Sequence, residues 1–255
     1  PGPMKALITG AGGFVGHHLQ RHLEDCGDEV IATDRMTDGL DILDAAALLD
    51  MFRRTRPEVV YHLAGASDVG GSWQTPQATF RANAEGTLNV LWAAREAGTG
   101  RVLTVGSADV YGKVTAADLP ISEDLALRPV SPYAASKAFI LSFSKALAYE
   151  TRGTGVKVSV VSPGAVTTGL HDKAGTRNCR YLVWFPPLSP EFVAGKAYRR
   201  FKRGWSVTLP GIINPLGAFA ARFTPDFALI PLMGWFFRLR DDDGTVLWPR
   251  PLEKP

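Results

Sequence analysis

Three glycines at one turn constrain this chain more than any other feature. Gly10, Gly13 and Gly16 lie in Thr9-Gly10-Ala11-Gly12-Gly13-Phe14-Val15-Gly16, after the apolar run Met4-Lys5-Ala6-Leu7-Ile8 and before the helically spaced residues 14–23. A strand that turns into a helix on glycines presents unpaired amides and the positive end of a helix dipole where no side chain intervenes. The expected occupant is an anion, and in this strand-to-helix setting the pyrophosphate of a dinucleotide. A turn that serves packing alone is the alternative. Far downstream, Ser131-Pro132-Tyr133-Ala134-Ala135-Ser136-Lys137 sets a phenol and an amine four residues apart near a helix start, on one face.

The intervening pattern alternates strand and helix. Strands are predicted at 29–33, 58–63, 101–105 and 156–161, and helices at 44–54, 76–97 and 132–150. This order implies an α/β fold: a Rossmann-like, doubly wound parallel sheet in three α/β/α layers, forming a single domain. A loop over 167–188, a helix over 189–202, a short strand near Val207 and a Pro-broken apolar tail follow. Pro1-Gly2-Pro3 before Met4 reads as the remnant of a cleaved tag, leaving 4–255 as the folding unit.

Composition excludes several classes. A formal charge of +3 over 255 residues includes no basic run long enough for a nucleic-acid track, and no nucleic-acid partner is expected. Cys26 and Cys179 cannot build a disulfide framework and read as packing thiols of a cytoplasmic protein. His17, His18, His22, His62 and His171 show no ligand grouping, read as packing or surface residues, and no metal is expected.

The second strand ends in Thr33-Asp34-Arg35, about twenty residues past the glycines, where an acid hydrogen-bonds the adenosine ribose. Asp34 favours NAD because a carboxylate repels a 2′-phosphate; Arg35 would neutralise one, so NADP stays open.

The glycine pattern, the Tyr133-x-x-x-Lys137 pair and a serine upstream resemble the short-chain dehydrogenase/reductase superfamily over nearly the whole chain. Residues 4 to about 138 resemble its extended, sugar-nucleotide branch through Asp41-Ile42, His62-Leu63-Ala64-Gly65, Asn83-Ala84-Glu85-Gly86-Thr87 and Gly106-Ser107-Ala108-Asp109-Val110-Tyr111-Gly112. From about Phe139, the stretches Leu141–Leu147 and Gly155–Gly164 resemble the short, single-domain branch, with Pro163, Gly164, Val166 and Thr168 matching its nicotinamide loop. The Asn and Tyr-Gly-Pro signatures of sugar-nucleotide enzymes after the fifth strand are absent. Two branch-specific halves meeting inside one helix, behind Pro1-Gly2-Pro3, suggest a chimera, with a natural mosaic as the alternative.

The resemblance implies that Gly10, Gly13, Phe14, Val15, Gly16, Asp34, Arg35, Asp41, Ile42, Ala64 and Gly65 hold the cofactor together with the nicotinamide loop. It implies that Ser107 holds the reacting oxygen against Tyr133, and that Asn83 supports a proton relay through water and Lys137. For Tyr133 to work near neutral pH its pKa must fall from about 10 toward 7, about 4 kcal/mol. One ammonium about 4 Å away supplies this at an effective dielectric near 20. Sugar dehydratases of the extended branch carry an acid pair after the catalytic hydroxyl, but Ala108 follows Ser107 here, which argues against elimination of water.

The expected activity is hydride transfer between a nicotinamide and an alcohol or ketone. Tyr181-Leu182-Val183-Trp184-Phe185 on the substrate side favours an apolar substrate. A sugar-nucleotide 4-epimerase or reductase is one alternative, and a nucleotide-binding scaffold without activity is another. A homo-oligomer is expected. The apolar stretch 227–237, with Arg199, Arg200, Lys202, Arg203, Arg238 and Arg240 near it in sequence, is too short and Pro-broken to span a bilayer. Packing on its own domain or a partner subunit is favoured over a peripheral membrane contact.

Overall fold

A computed structural model describes residues 2–112, 125–163, 166–167 and 187–210. Six strands, β1 (Lys5–Thr9), β2 (Glu29–Thr33), β3 (Val59–His62), β4 (Arg101–Val105), β5 (Lys157–Val161) and β6 (Val207–Thr208), form one sheet in the order β2-β1-β3-β4-β5-β6. Every pairing is parallel, with Ile8 level with Ala32 on one side and Tyr61 on the other. The chain leaves β1 in both directions across the sheet, so the switch point lies between β1 and β3, where such sheets open a crevice for ligands.

Strand alternation decides which side chains face which layer. Ala6, Ile8, Tyr61, Leu103 and Val161 pack toward α1 (Phe14–Asp25) and α6 (Pro190–Lys202). Leu7, Val60 and Val102 pack against Leu48 and Phe52 of α2 (Ala45–Thr55) and Val90 of α4 (Gly86–Glu96). The helix α5 (Pro132–Glu150) covers β4 and β5 on that second face, with Leu141 against Val160. Both faces are thus covered, as an all-parallel sheet requires.

Local sequence sets the helix starts. Ser131 and Ser189 cap α5 and α6, accepting from Ala134 N at 3.1 Å and Phe192 N at 3.2 Å, with proline at the first helical position of each. The predicted single helix over 76–97 is divided. After α3 (Pro76–Phe80), residues Arg81–Glu85 form a π turn in which Gly86 N donates to Arg81 O, and only then does α4 begin. Cys26, expected to pack, is exposed at the end of α1, with Sγ 3.9 Å from His22 Nε2. Cys179, His171, the stretch 181–185 and the tail from 211 onward lie outside the described residues. No described helix is long and apolar enough to cross a membrane, and no group of three or more potential metal ligands occurs among the described residues.

Candidate active site

The glycine turn sits at the carboxyl end of β1, on the switch point. Gly10 N and Ala11 N both donate to Thr33 O, at 2.9 and 3.1 Å, so the turn is tied to the end of β2. Gly10 has φ 76°, and a Cβ there would lie 2.5 Å from Ala64 N, so the close approach of Ala64 requires glycine. A Cβ on Gly16 would fall on the Ala11 carbonyl oxygen. Gly13 caps α1 without a side chain, which leaves the first-turn amides at Phe14, Val15 and Gly16 for an external acceptor. These cradles, which a Cβ would fill, fit a bound pyrophosphate.

Asp34 stands beside this turn, 3.1 Å (Cγ) from where a Cβ on Gly12 would lie, and its Oδ1 accepts from Met36 N at 2.8 Å. Arg35 is exposed and turned to Asp41, with Nη1 3.7 Å from Oδ2. Asp41 also accepts from Leu43 N, and Ile42 rests where Gly86 leaves room, its carbonyl accepting from Asn89 Nδ2. The residue that organises this loop, missed in the sequence, is Asp38. It accepts from Thr33 Oγ1 at 2.6 Å, Asp34 N at 3.1 Å and Leu40 N at 3.2 Å. Burial pushes its carboxyl up, but these donors outweigh burial and hold it below the usual range.

Ser107 and Tyr133 are brought together beyond β4, where Asp109 N donates to Ser107 Oγ at 3.2 Å. Lys137, one turn after Tyr133, is 6% exposed and donates to Val105 O at 3.1 Å. Its Nζ lies 5.9 Å from the Tyr133 ring centroid. Tyr133 is raised, not lowered: burial pushes it up, Ser107 draws it down, and the Asp109 carboxylate pushes it up again. The expected lowering fails here because burial outweighs the pull of Ser107.

Burial draws Lys137 down from 10.5 to about 8. An unfolded chain keeps this proton to pH 10.5 while the fold releases it near 8, so this group adds stability between those values. Below pH 8 it imposes a constant cost, about 3 kcal/mol for such a shift. Lys137→Met is therefore expected to stabilise the fold at pH 7 by about 2 kcal/mol, after loss of the Val105 bond. Urea unfolding at pH 7 checks this, and a destabilised variant would refute it.

Asn83 sits within the π turn. Its Oδ1 accepts from Ala66 N at 2.8 Å, and its Nδ2 donates to Ala66 O at 3.2 Å and to Ser136 Oγ at 2.8 Å. Ser136 in turn donates to Tyr133 O at 2.7 Å, which ties Asn83 to the helix turn bearing Tyr133. Gly65 lets these groups approach closely, since a Cβ there would lie 2.6 Å from Asn83 Oδ1 and 3.7 Å from Lys137 Nζ.

Behind Asn83 runs a buried network. Thr87 Oγ1 donates to Asn83 O at 2.6 Å, so it accepts from His62 Nε2 at 2.9 Å, and Nδ1 accepts from Thr9 Oγ1 at 2.7 Å. Only the neutral Nε2–H tautomer fits this assignment. Burial, aided by the Lys137 charge, holds His62 down from 6.5 to about 3. The unfolded histidine takes a proton as pH falls through 6.5 and the folded one does not, so stability is lost from there toward pH 3. Between pH 6.5 and 5 the protein is expected to lose about 2 kcal/mol that His62→Gln does not lose. Parallel pH profiles of the two in urea would refute this.

A cavity of about 200 Å³ opens at Gly65, Ala66, Ser67, Tyr133 and Lys137 and is walled by Val161, Pro163 and Val166 and by Val193 and Ala194 of α6. Pro163 O accepts from Ala108 N at 3.2 Å, and Val166 pairs with Leu188. Of the predicted nicotinamide loop, Gly164 and Thr168 lie outside the described residues.

Such a sheet, with the cradle and the hydroxyl–amine group on the same rim, places the molecule among the short-chain dehydrogenases/reductases. More narrowly, the model of the NAD dependent epimerase/dehydratase family matches residues 6–173, and the chain belongs to that family. The match runs through β5, past the change of resemblance near residue 138.

GDP-6-deoxy-D-mannose reductase of Pseudomonas aeruginosa is 39% identical over 134 residues, covering 52% of this chain and 43% of that protein. UDP-glucose 4-epimerase of Mycolicibacterium smegmatis is 35% identical over 153 residues, 52% of this chain and 48% of the other. The chain thus spans about half the length of these curated relatives. Among solved structures, RMD from Pseudomonas aeruginosa complexed with NADPH matches with a TM-score of 0.65 at 26% identity, over 82% of this chain and 76% of that one. The UDP-glucose 4-epimerase of Thermus thermophilus in complex with NAD matches at 0.67 and 22% identity, over 87% of this chain and 94% of that one, a likeness of fold.

Proposed function

We propose that the chain carries out NAD(P)-dependent redox at a secondary hydroxyl or ketone of a nucleoside diphosphate sugar. One observation carries this reading: Tyr133 lines the cavity beside the buried Lys137 amine one turn behind, with Ser107 close enough to draw the phenol's pKa down. The cofactor's phosphates would be held at the α1 amides and its ribose at Asp34; when bound, its nicotinamide would supply or accept the hydride.

The chain's own residues manage the proton and the oxygen. Ser107 Oγ holds the reacting oxygen, and Tyr133 Oη donates its proton to that oxygen as a ketone becomes an alcohol, taking it back in reverse. Lys137, charged below about pH 8, stands one turn behind the phenol with its ammonium on Val105 O. Asn83 braces Ala66 and Ser136, fixing Gly65 beside Lys137 and the turn that bears Tyr133. Elimination of water asks for an acid directly after the hydroxyl residue, and Ala108 stands there.

The apolar-substrate expectation rested on Tyr181–Phe185, outside the described residues, and the sugar-nucleotide enzymes among the similar proteins favour the alternative. The apolar cavity walls, Val161, Val166, Val193 and Ala194, keep an apolar alcohol as a second reading. The test offers the full chain NAD or NADP with GDP-6-deoxy-D-mannose, with UDP-glucose, or with apolar secondary alcohols. Reduced-cofactor absorbance follows oxidation, and chromatography of the sugar nucleotide follows epimerisation. Turnover of a sugar nucleotide supports the proposal, turnover of the alcohols alone replaces it, and cofactor binding without any turnover leaves a scaffold.

A further inference from the structure

The outer face of α6 carries a stripe of cations with no acid to balance it. Lys196, Arg199, Arg200 and Arg203 follow Phe192 at intervals of four, seven, eight and eleven residues, which puts all of them on one side of the helix. The opposite side is buried through Val193, Ala194, Ala197 and Phe201, so the stripe faces outward, and Arg199 and Arg203 are exposed. Glu191, the helix's acid, is drawn sideways to His18 of α1 at 2.9 Å, and Lys202 lies 4.0 Å from Asp28. Lys196, Arg199, Arg200 and Arg203 have no carboxylate partner among the described residues.

The charge is concentrated here. Residues 190–205 hold five cations and one acid, a surplus of four, whereas the whole chain has a surplus of three; the rest of the chain is one charge negative. Two exposed rings bracket the stripe, Phe192 at 47% and Trp205 at 51% exposure. Each carries a cation over its face: Lys196 Nζ 5.7 Å from the Phe192 centroid and Arg200 Cζ 4.6 Å from that of Trp205. An aromatic ring with a cation above it has an apolar body and a charged tip, the form that suits the boundary between lipid headgroups and acyl chains.

We propose that this face of α6 docks the protein on anionic phospholipid, as a peripheral contact of the surface. Acidic headgroups complement the four unpaired cations, and Phe192 and Trp205 enter the interface at the two ends of the stripe. A nucleic acid or an acidic protein would also answer the charge, but exposed rings at both ends favour an interface with an apolar layer beneath. The proposal is independent of the reaction at Tyr133.

The full chain is sedimented with vesicles of phosphatidylglycerol mixed into phosphatidylcholine, with pure phosphatidylcholine vesicles, and in competition with duplex DNA and polyglutamate. Binding to the anionic vesicles, weak or absent on pure phosphatidylcholine and falling as salt rises to about 0.15 M, is expected. The double variant R199E/R203E is expected to lose about thirtyfold or more of that affinity, and Trp205→Ala severalfold with the salt dependence kept. Both change exposed side chains, and unchanged thermal melting with cofactor present checks their fold. No binding to anionic vesicles, or R199E/R203E binding like the unaltered chain, overturns the proposal. So does polyglutamate or DNA that displaces the protein from vesicles at lower charge concentration than the lipid presents.

Discussion

Tyr133→Phe is expected to lose about a thousandfold in hydride transfer while NADH and NADPH bind as before. Tyr133 lines the cavity and lies close enough to Ser107 for that residue to draw its pKa down, and the residue is 9% exposed and packed. Removing one oxygen leaves that packing in place, so stability and cofactor affinity have little cause to move. The size of the loss follows from the range over which a positioned acid or base acts. Burial already raises the Tyr133 pKa, so the protonated form predominates at neutral pH and the direction that reduces a ketone has its proton in place. Initial rates of both variants with a sugar nucleotide, beside thermal-shift titration with each cofactor, measure the two quantities separately. An equal rate in Tyr133→Phe would move the proton to another group.

Gly16→Ala is expected to weaken cofactor binding about a hundredfold and to cost about 2 kcal/mol of stability. Helix propensity alone would make alanine better in α1 by about 1 kcal/mol. The sign reverses because the new Cβ would meet the Ala11 carbonyl oxygen, which is backbone and cannot turn aside. The turn from Gly10 to Gly13 must then shift, and with it the free first-turn amides of Phe14 and Val15. Calorimetric titration with NADH and urea unfolding read these two effects. A stabilised variant that binds NADH unchanged would mean that the turn accommodates the methyl group.

The sheet was legible because each strand is a short apolar run between turns. The predicted 29–33 and 101–105 match β2 and β4, and 132–150 matches α5, where Ser131 and Pro132 mark the start unambiguously. The π turn at Arg81–Glu85 was not legible, since one extra residue in a helical run leaves the apolar spacing on either side intact. One signal could have exposed it: Thr87 lies four residues after Asn83, the spacing at which a hydroxyl takes a helical carbonyl. His62 read as a packing or surface residue because its partners, Thr9 and Thr87, are 53 and 25 residues away.

The glycine cradle and the Ser107, Tyr133, Lys137 and Asn83 group were visible as motifs; the fold lines one cavity with Val15, Gly65, Tyr133 and Lys137 and ties Asn83 to Tyr133 through Ser136. Their electrostatics were not visible. Spacing on a helix says that Lys137 is near Tyr133, but only the fold shows its ammonium held by Val105 O. Asp38 was hidden for a similar reason, because a carboxylate that organises a loop looks in sequence like any turn aspartate.

Deuterium transfer measures the central claim most directly. The full chain is given NADH or NADPH deuterated at the nicotinamide C4 and the ketone corresponding to GDP-6-deoxy-D-mannose, and the sugar nucleotide product is weighed by mass spectrometry. A product carrying deuterium with the unaltered chain and none with Tyr133→Phe is the predicted result. No deuterium in the product while thermal shift shows the cofactor bound, or equal transfer by Tyr133→Phe, would contradict it.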